Sequence, residues 1–282
     1  MTLEVSNISV SLGGFEILKD IAISVPEAGM TGLIGPNGAG KSTLFSVISG
    51  FLKQSAGRIQ FGGRDLDGTG AAVRARAGMV RTFQVPREFR HMTVRENLYA
   101  AAPDQPGEHL INLLIRSAKV NLREREVRQQ GEEVLDFLKL RKVADVPSGQ
   151  LSGGQKKLLE LGRVLMLKPK MILLDEPFAG VNAVLIAEIV DRIRELHAGG
   201  VGFLIIEHDL EAISETLDAG SAGIVVVVDP GEADEVEQLL ANASKVTRKE
   251  IAVDQEIRDD GDAKTATRGE RPERNAAGRR CR

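Results

Sequence analysis

Apolar and polar residues alternate along 3 to 12, with Leu3, Val5, Ile8 and Val10 as the apolar set, and again along 17 to 25, with Ile17, Ile21, Ile23 and Val25. A period of two is that of a strand with one buried face, so the pattern predicts two antiparallel strands joined by a Gly13-Gly14 turn. Arg58 to Gly63 reads as a further strand running into a turn. Elsewhere the strands read as short apolar runs, at Met30 to Ile34, Met171 to Leu174 and 202 to 206, with another at Gly78 to Gln84 ending on a polar residue. Such runs fit strands buried on both faces of a parallel sheet.

Helical patterns separate these runs. One starts at Thr43, one opens with the capping box Thr93-Val94-Arg95-Glu96 and runs through Ala102, one covers about 108 to 140, one follows Leu151 to Gln155 and extends to about Leu167, and one covers 184 to 197. The alternation predicts an α/β fold with a mostly parallel central sheet, an N-terminal antiparallel β subdomain and an inserted α-helical subdomain at about 103–167. The charged stretch Arg123 to Arg128 reads as a solvated helix face. The ordered domain is predicted to occupy 1–242. Residues 243–282 carry many charges and few large apolar side chains, so a disordered tail is expected.

Composition narrows the class. An apolar fraction of 42% supports a sizeable core, and a net charge of −3 gives no general attraction to nucleic acid. The longest apolar runs, such as Ile224 to Val228, fall well short of the ~18 residues of a membrane span. Met1 to Val5 lacks a signal-peptide pattern. The single cysteine, Cys281, rules out an internal disulfide and a cysteine metal cluster. A cytoplasmic protein without a membrane segment of its own is expected.

The candidate chemistry starts at Gly35, Pro36, Asn37, Gly38, Ala39, Gly40, Lys41, Ser42 and Thr43, which fit G-x-x-x-x-G-K-[ST] between a strand and a helix. Gly35, Gly38 and Gly40 let successive N–H groups turn toward phosphate oxygens, and the helix start adds positive potential. Lys41 would reach the outer phosphates and the Ser42 hydroxyl would ligate Mg²⁺. Downstream, an apolar run ends in Asp175 and Glu176, suited to holding the metal and to polarising an attacking water. Gln84, at a strand end, is a candidate for touching metal or water, and His208 for the γ-phosphate or for aligning Glu176. His91, His109 and His197 read as structural or surface residues. Leu151, Ser152, Gly153, Gly154 and Gln155 open a helix and would form a second anion site, one that is useful if it covers the triphosphate of a facing copy.

The order GPNGAGKST, Gln84, LSGGQ, MILLDE, His208 resembles the ATP-binding subunits of ABC transporters, and LSGGQ is that family's signature. The stretches 80–84, 92–98, 155–161 and 176–182 are most similar to the branched-chain amino-acid importer subset. The resemblance covers residues 3 to about 213. It implies an ATPase with ATP and Mg²⁺, working as a head-to-tail dimer with two nucleotides sandwiched between phosphate loop and signature. The implied partners are membrane permease subunits, a second ATPase subunit (a paralogue or an identical copy) and, indirectly, a periplasmic or extracellular solute-binding protein. The implied location is peripheral, on the cytoplasmic face of the membrane, with no nucleic acid bound. The other class weighed is a soluble ABC-type ATPase of repair, translation or cluster assembly. Its repair members carry zinc cysteines and its translation members two ATPase halves, and this chain has neither.

Three departures stand out. The family's adenine-stacking aromatic is replaced by Leu12, which leaves Phe15 as the candidate substitute, and the usual proline after Asn182 is Ala183. After His208 the text leaves the family pattern, either as a divergent extension or as the product of a shifted reading frame, which puts the last edge strands in question.

Overall fold

The computed structural model describes residues 1–35, 38–82, 88–105 and 117–207, together with the backbone of 222–226. Gln84, His208, Pro36, Asn37 and His109 lie outside the described residues, as does the expected tail.

The alternating N-terminal segments form β1 (Leu3–Leu12) and β2 (Phe15–Val25), an antiparallel hairpin closed by left-handed Gly13 and Gly14. β1 also pairs antiparallel with β4 (Ala56–Phe61), and β4 with the short β5 (Arg64–Asp65), giving a sheet in the order β2-β1-β4-β5. The apolar runs form a second, five-stranded sheet, β6-β7-β8-β3-β9, from β6 (Met79–Arg81), β7 (Met171–Asp175), β8 (Gly202–Glu207), β3 (Met30–Ile34) and β9 (Ala222–Val226). Every pairing in it is parallel. The fold is therefore α/β, as the sequence predicts.

Burial on both faces explains the unbroken apolar runs. In β7, Met171 and Leu173 enter the core shared with the antiparallel sheet, while Ile172 and Leu174 enter the core shared with the helices. In β8, Leu204 and Ile206 face the first core, and Phe203 and Ile205 the second. Alternate residues thus serve opposite layers, as the strand period requires.

α1 (Lys41–Ile48) follows β3 and lies in the core of the antiparallel side. α2 (Ala71–Arg76) leads into β6. α3 (Val94–Ala101) carries the predicted capping box: Thr93 accepts from the Glu96 N–H, and Glu96 reaches back to the Thr93 N–H. With α4 (Ser117–Phe137) and α5 (Gly153–Leu165) it forms the helical part of the chain. On α4, Val120, Val127 and Val134 recur every seven residues and are buried, so the charged stretch around Val127 is the solvated side of an amphipathic helix. Arg123 pairs with Glu126, and Arg128 with Glu124, one turn away. α6 (Ala183–Ala198) starts without the family's proline, yet the Asn182 side chain caps it by accepting from the Leu185 N–H at 3.0 Å.

The text after His208 is expected to leave the family pattern, and the backbone of 222–226 adds a strand in register with β3, Met30 opposite Ala222 through Ile34 opposite Val226. Of the edge strands in question, this one is present among the described residues.

Candidate nucleotide-binding site

The strand ends bring the candidate residues together. In the parallel sheet Ile34 lies opposite Glu207, and Asp175 opposite Ile206, so β3, β7 and β8 end side by side. Gly35 and Glu176 directly follow β3 and β7, and His208, next after β8 in the sequence, lies outside the described residues. The carboxyl edge of a parallel sheet is where open α/β folds receive ligands.

At the phosphate loop, Gly38 and Gly40 have φ of +90° and +80°, and Gly40 is the N-cap of α1. A side chain at Gly40 would be strained and would also strike the hairpin, its Cβ lying 2.6 Å from Leu18 Cδ2 and 3.3 Å from the Ile17 carbonyl oxygen. The first turn of α1 holds no acidic residue, so its N–H groups and dipole keep their positive potential for an anion. Lys41 is buried and its Nζ donates to the Gly35 carbonyl at 2.5 Å, which lays the ammonium across the loop. Ser42 is exposed in the same turn. Because β2 abuts Gly40, the hairpin tip belongs to the same region. There Leu12 and Phe15 face each other across the strands with 45% and 61% of their surface exposed, an apolar pair open to a planar base.

Asp175 ends β7 in a buried position, and its Oδ2 accepts from Arg81 Nη2 at 2.6 Å. Its backbone N–H approaches Thr82 Oγ1 at 3.4 Å. Glu176 follows with φ +48°, an uncommon conformation for a residue with a side chain and one that concentrates at functional turns. The turn is held from two sides. The Glu176 N–H donates to the Ile206 carbonyl at 3.0 Å, and the buried Glu207 accepts from the Phe178 N–H at 3.1 Å through Oε1. Lys157 of α5 donates to the Glu176 carbonyl at 3.4 Å.

The signature segment begins α5 with a reciprocal cap. Gln155 N–H donates to Ser152 Oγ at 3.3 Å, and Ser152 N–H donates to Gln155 Oε1 at 3.1 Å. Leu151 is buried, whereas Ser152 and Gly153 are exposed, with open space where a Gly153 Cβ would stand. Gly154 differs. Its added Cβ would fall 1.3 Å from Leu185 Cδ2, because α6 packs against it.

Sequence reasoning passed over Arg81, Lys157 and Glu207. Arg81 carried the only usable signal, a charge on the buried strand Met79-Val80-Arg81. His197, read as structural, has Nδ1 within 3.3 Å of the Val201 carbonyl at the end of α6.

A glycine loop on a helix start, beside an Asp-Glu strand end on a parallel sheet, defines an α/β phosphate-loop nucleotide-binding domain. Residues 18–179 match the family model described as ABC transporter, and the chain belongs to that family of ATPases. It is 44% identical over 216 residues to a probable branched-chain amino acid transport ATP-binding protein LivG of Methanocaldococcus jannaschii, spanning 77% of this chain and 83% of that one. It is 32% identical over 232 residues to the high-affinity branched-chain amino acid transport ATP-binding protein BraF of Pseudomonas aeruginosa, spanning 81% and 88%. Among solved structures it superposes on a nucleotide-free ATP-binding cassette from an ABC transporter with a TM-score of 0.68 at 41% identity, covering 81% of this chain and 88% of the other.

Proposed function

We propose that this ATP-binding subunit powers an importer of branched-chain or other hydrophobic amino acids. The observation that carries the reading is the 44% identity to the LivG-type protein across 83% of that relative's length. The four stretches that resemble the same subset at the level of sequence support it. Among the described residues no helix is long and apolar enough to cross a membrane, so the permeation path would belong to separate permease subunits. The subunit would sit peripherally on the cytoplasmic face, paired with a second ATPase chain, with a solute-binding protein acting on the far side.

In this reading the triphosphate lies along Gly35 to Thr43, with Lys41 on its outer phosphates and Phe15 against the adenine. Ser42 and Asp175 offer a hydroxyl and a carboxylate oxygen, hard donors that suit Mg²⁺ beside phosphate oxygens, and Gln84 would join them. The metal supplies charge neutralisation at the phosphates. Glu176 takes the proton of the attacking water, and His208 aligns it. Leu151 to Gln155 cover the nucleotide held by the partner ATPase, with the exposed Ser152 and Gly153 turned outward for that task.

Tagging the chain in its native cell and extracting membranes in mild detergent tests the assignment. Two multi-span permeases and a second ATPase are expected to co-purify, and transport by the recovered complex should favour leucine, isoleucine or valine. Recovery from the soluble fraction without a membrane partner would overturn it.

A further inference from the structure

Asp175 and Ser42, the two described residues assigned to the metal, sit on different elements, and one side chain joins those elements. Arg81 comes from β6, on the side of β7 away from β8. Its Nη2 donates to Asp175 Oδ2 at 2.6 Å, with the two side chains only 10% and 6% exposed. Its Nη1 reaches Ser46 Oγ on α1 at 3.0 Å and Oγ of Ser49, the C-cap of that helix, at 3.4 Å. Both hydroxyls donate back into the helix, Ser46 to the Ser42 carbonyl at 2.7 Å and Ser49 to the Phe45 carbonyl at 2.5 Å, so each presents its oxygen to the guanidinium as an acceptor. The Phe45 ring lies 5.6 Å from the guanidinium carbon. A continuous hydrogen-bonded path therefore runs from the Asp175 carboxylate through Arg81 and Ser46 to the backbone of Ser42.

We infer that Arg81 is a positioning residue for the metal: it fixes Asp175 by one oxygen and sets its distance from the phosphate-loop helix before nucleotide arrives. A guanidinium suits this task because its donors point in fixed directions, whereas a lysine ammonium cannot bridge both partners in one plane. With Oδ2 committed to Arg81, Oδ1 is the oxygen left to face the metal's shell. The charge of Arg81 neutralises the buried carboxylate when no cation is bound, which avoids the cost of an isolated buried anion. The inference rests on the assignment of Asp175 to the metal.

The test compares the affinity of the purified full chain for a fluorescent ATP analogue in excess Mg²⁺ with that in EDTA, and uses Asp175→Asn as the reference. Wild type should bind more tightly with Mg²⁺, and Asp175→Asn should lose that gain. Arg81→Gln and Arg81→Lys should each lose about tenfold of it, the scale of one charge-assisted hydrogen bond, with affinity in EDTA within about twofold of wild type. Ser46→Ala with Ser49→Ala, which cuts the path on the helix side and keeps the ion pair, should lose part of the gain. That pair carries the test if Arg81→Gln fails to fold. An undiminished Mg²⁺ gain in the folded variants would overturn the inference, as would an equal loss with and without Mg²⁺, the mark of a general structural role. A Mg²⁺ gain retained by Asp175→Asn would overturn the metal assignment itself, and the role of Arg81 with it.

Discussion

Lys157, one turn into the helix that follows the signature, donates to the backbone carbonyl of Glu176 at 3.4 Å. The helix that would touch a partner's nucleotide is thus joined, within one chain, to the turn that carries the proposed general base. Lys157→Met should lower ATP turnover several-fold while leaving ATP affinity within about twofold, since the contact bears on the Glu176 turn and not on the phosphate loop. Glu176→Gln should bind ATP normally, abolish turnover and accumulate as a dimer. Steady-state ATPase assays beside equilibrium binding separate the two variants.

Leu12 and Phe15 are cross-strand neighbours at the exposed hairpin tip. If Phe15 is the base contact, Phe15→Ala removes a stack of roughly 1–3 kcal/mol and weakens ATP binding by about 5- to 150-fold. Leu12→Tyr, which restores an aromatic where the family usually has one, should tighten it. Titration with ATP and with inorganic triphosphate shows whether the change belongs to the base, because only the first ligand should respond.

Gly153 and Gly154 are adjacent but face different constraints. Gly153→Ala meets open space, whereas Gly154→Ala drives a methyl group into Leu185. Overpacking of this kind costs about 1–3 kcal/mol, so Gly154→Ala should lower the melting temperature by several degrees. Adding Leu185→Ala should recover most of that loss, while Gly153→Ala alone should leave the temperature unchanged. Differential scanning fluorimetry on the four proteins gives the comparison.

Arg74 is 2% exposed and closes the far end of α1. Its Nη1 donates to the Val47 and Ile48 carbonyls at 2.6 and 2.7 Å, and its Nη2 to the Leu66 carbonyl at 2.9 Å. Burial pushes its pKa below the ordinary arginine value, with Asp67 acting in the opposite direction. Arg74→Met should cost about 3 kcal/mol, because these buried carbonyls lose their donor. Urea unfolding measures the loss.

The helical part should respond to acid. Glu96, Asp136 and Asp145 are all held below their usual pKa, by hydrogen bonds from Thr93, Arg141 and Arg95 respectively. A carboxylate lowered in the folded state contributes stability that is fully present above its unfolded pKa and lost as pH falls through the folded one. The loss should therefore begin near pH 4 and grow below it. Arg95→Ala and Arg141→Ala should each flatten that slope, while the wild type remains the steeper. Thermal melts between about pH 2.5 and pH 6 read the difference.

Much of the architecture was legible because burial leaves a periodic mark. Alternation at Leu3 and Val5 and again at Ile8 and Val10 announced a half-buried hairpin strand, with a register shift at left-handed Asn7 between the two pairs, and the unbroken run Met171 to Leu174 announced a strand packed on both faces. Within the glycine loop, Gly38 and Gly40 were legible as positions of unusual backbone, and both take a positive φ. Contacts between distant residues leave no such mark. Arg81 and Asp175 stand 94 residues apart, and only the parallel pairing of β6 with β7 brings them together. Likewise, nothing in Leu151 to Gln155 tells which of its two glycines is packed against α6. Glu207 looked like one more polar residue after a strand, and its capping of the turn beyond Glu176 appears only in three dimensions.

β3 is an interior strand because β9 lies on its outer side. A chain cut before residue 222 would leave the strand that carries the phosphate loop with a bare row of amide and carbonyl groups, an edge on which other chains can add strands and aggregate. The segment beyond His208 therefore has a structural task at 222–226. Residues 222–226 cover that side of β3 through backbone bonds, and their loss would expose it to self-association.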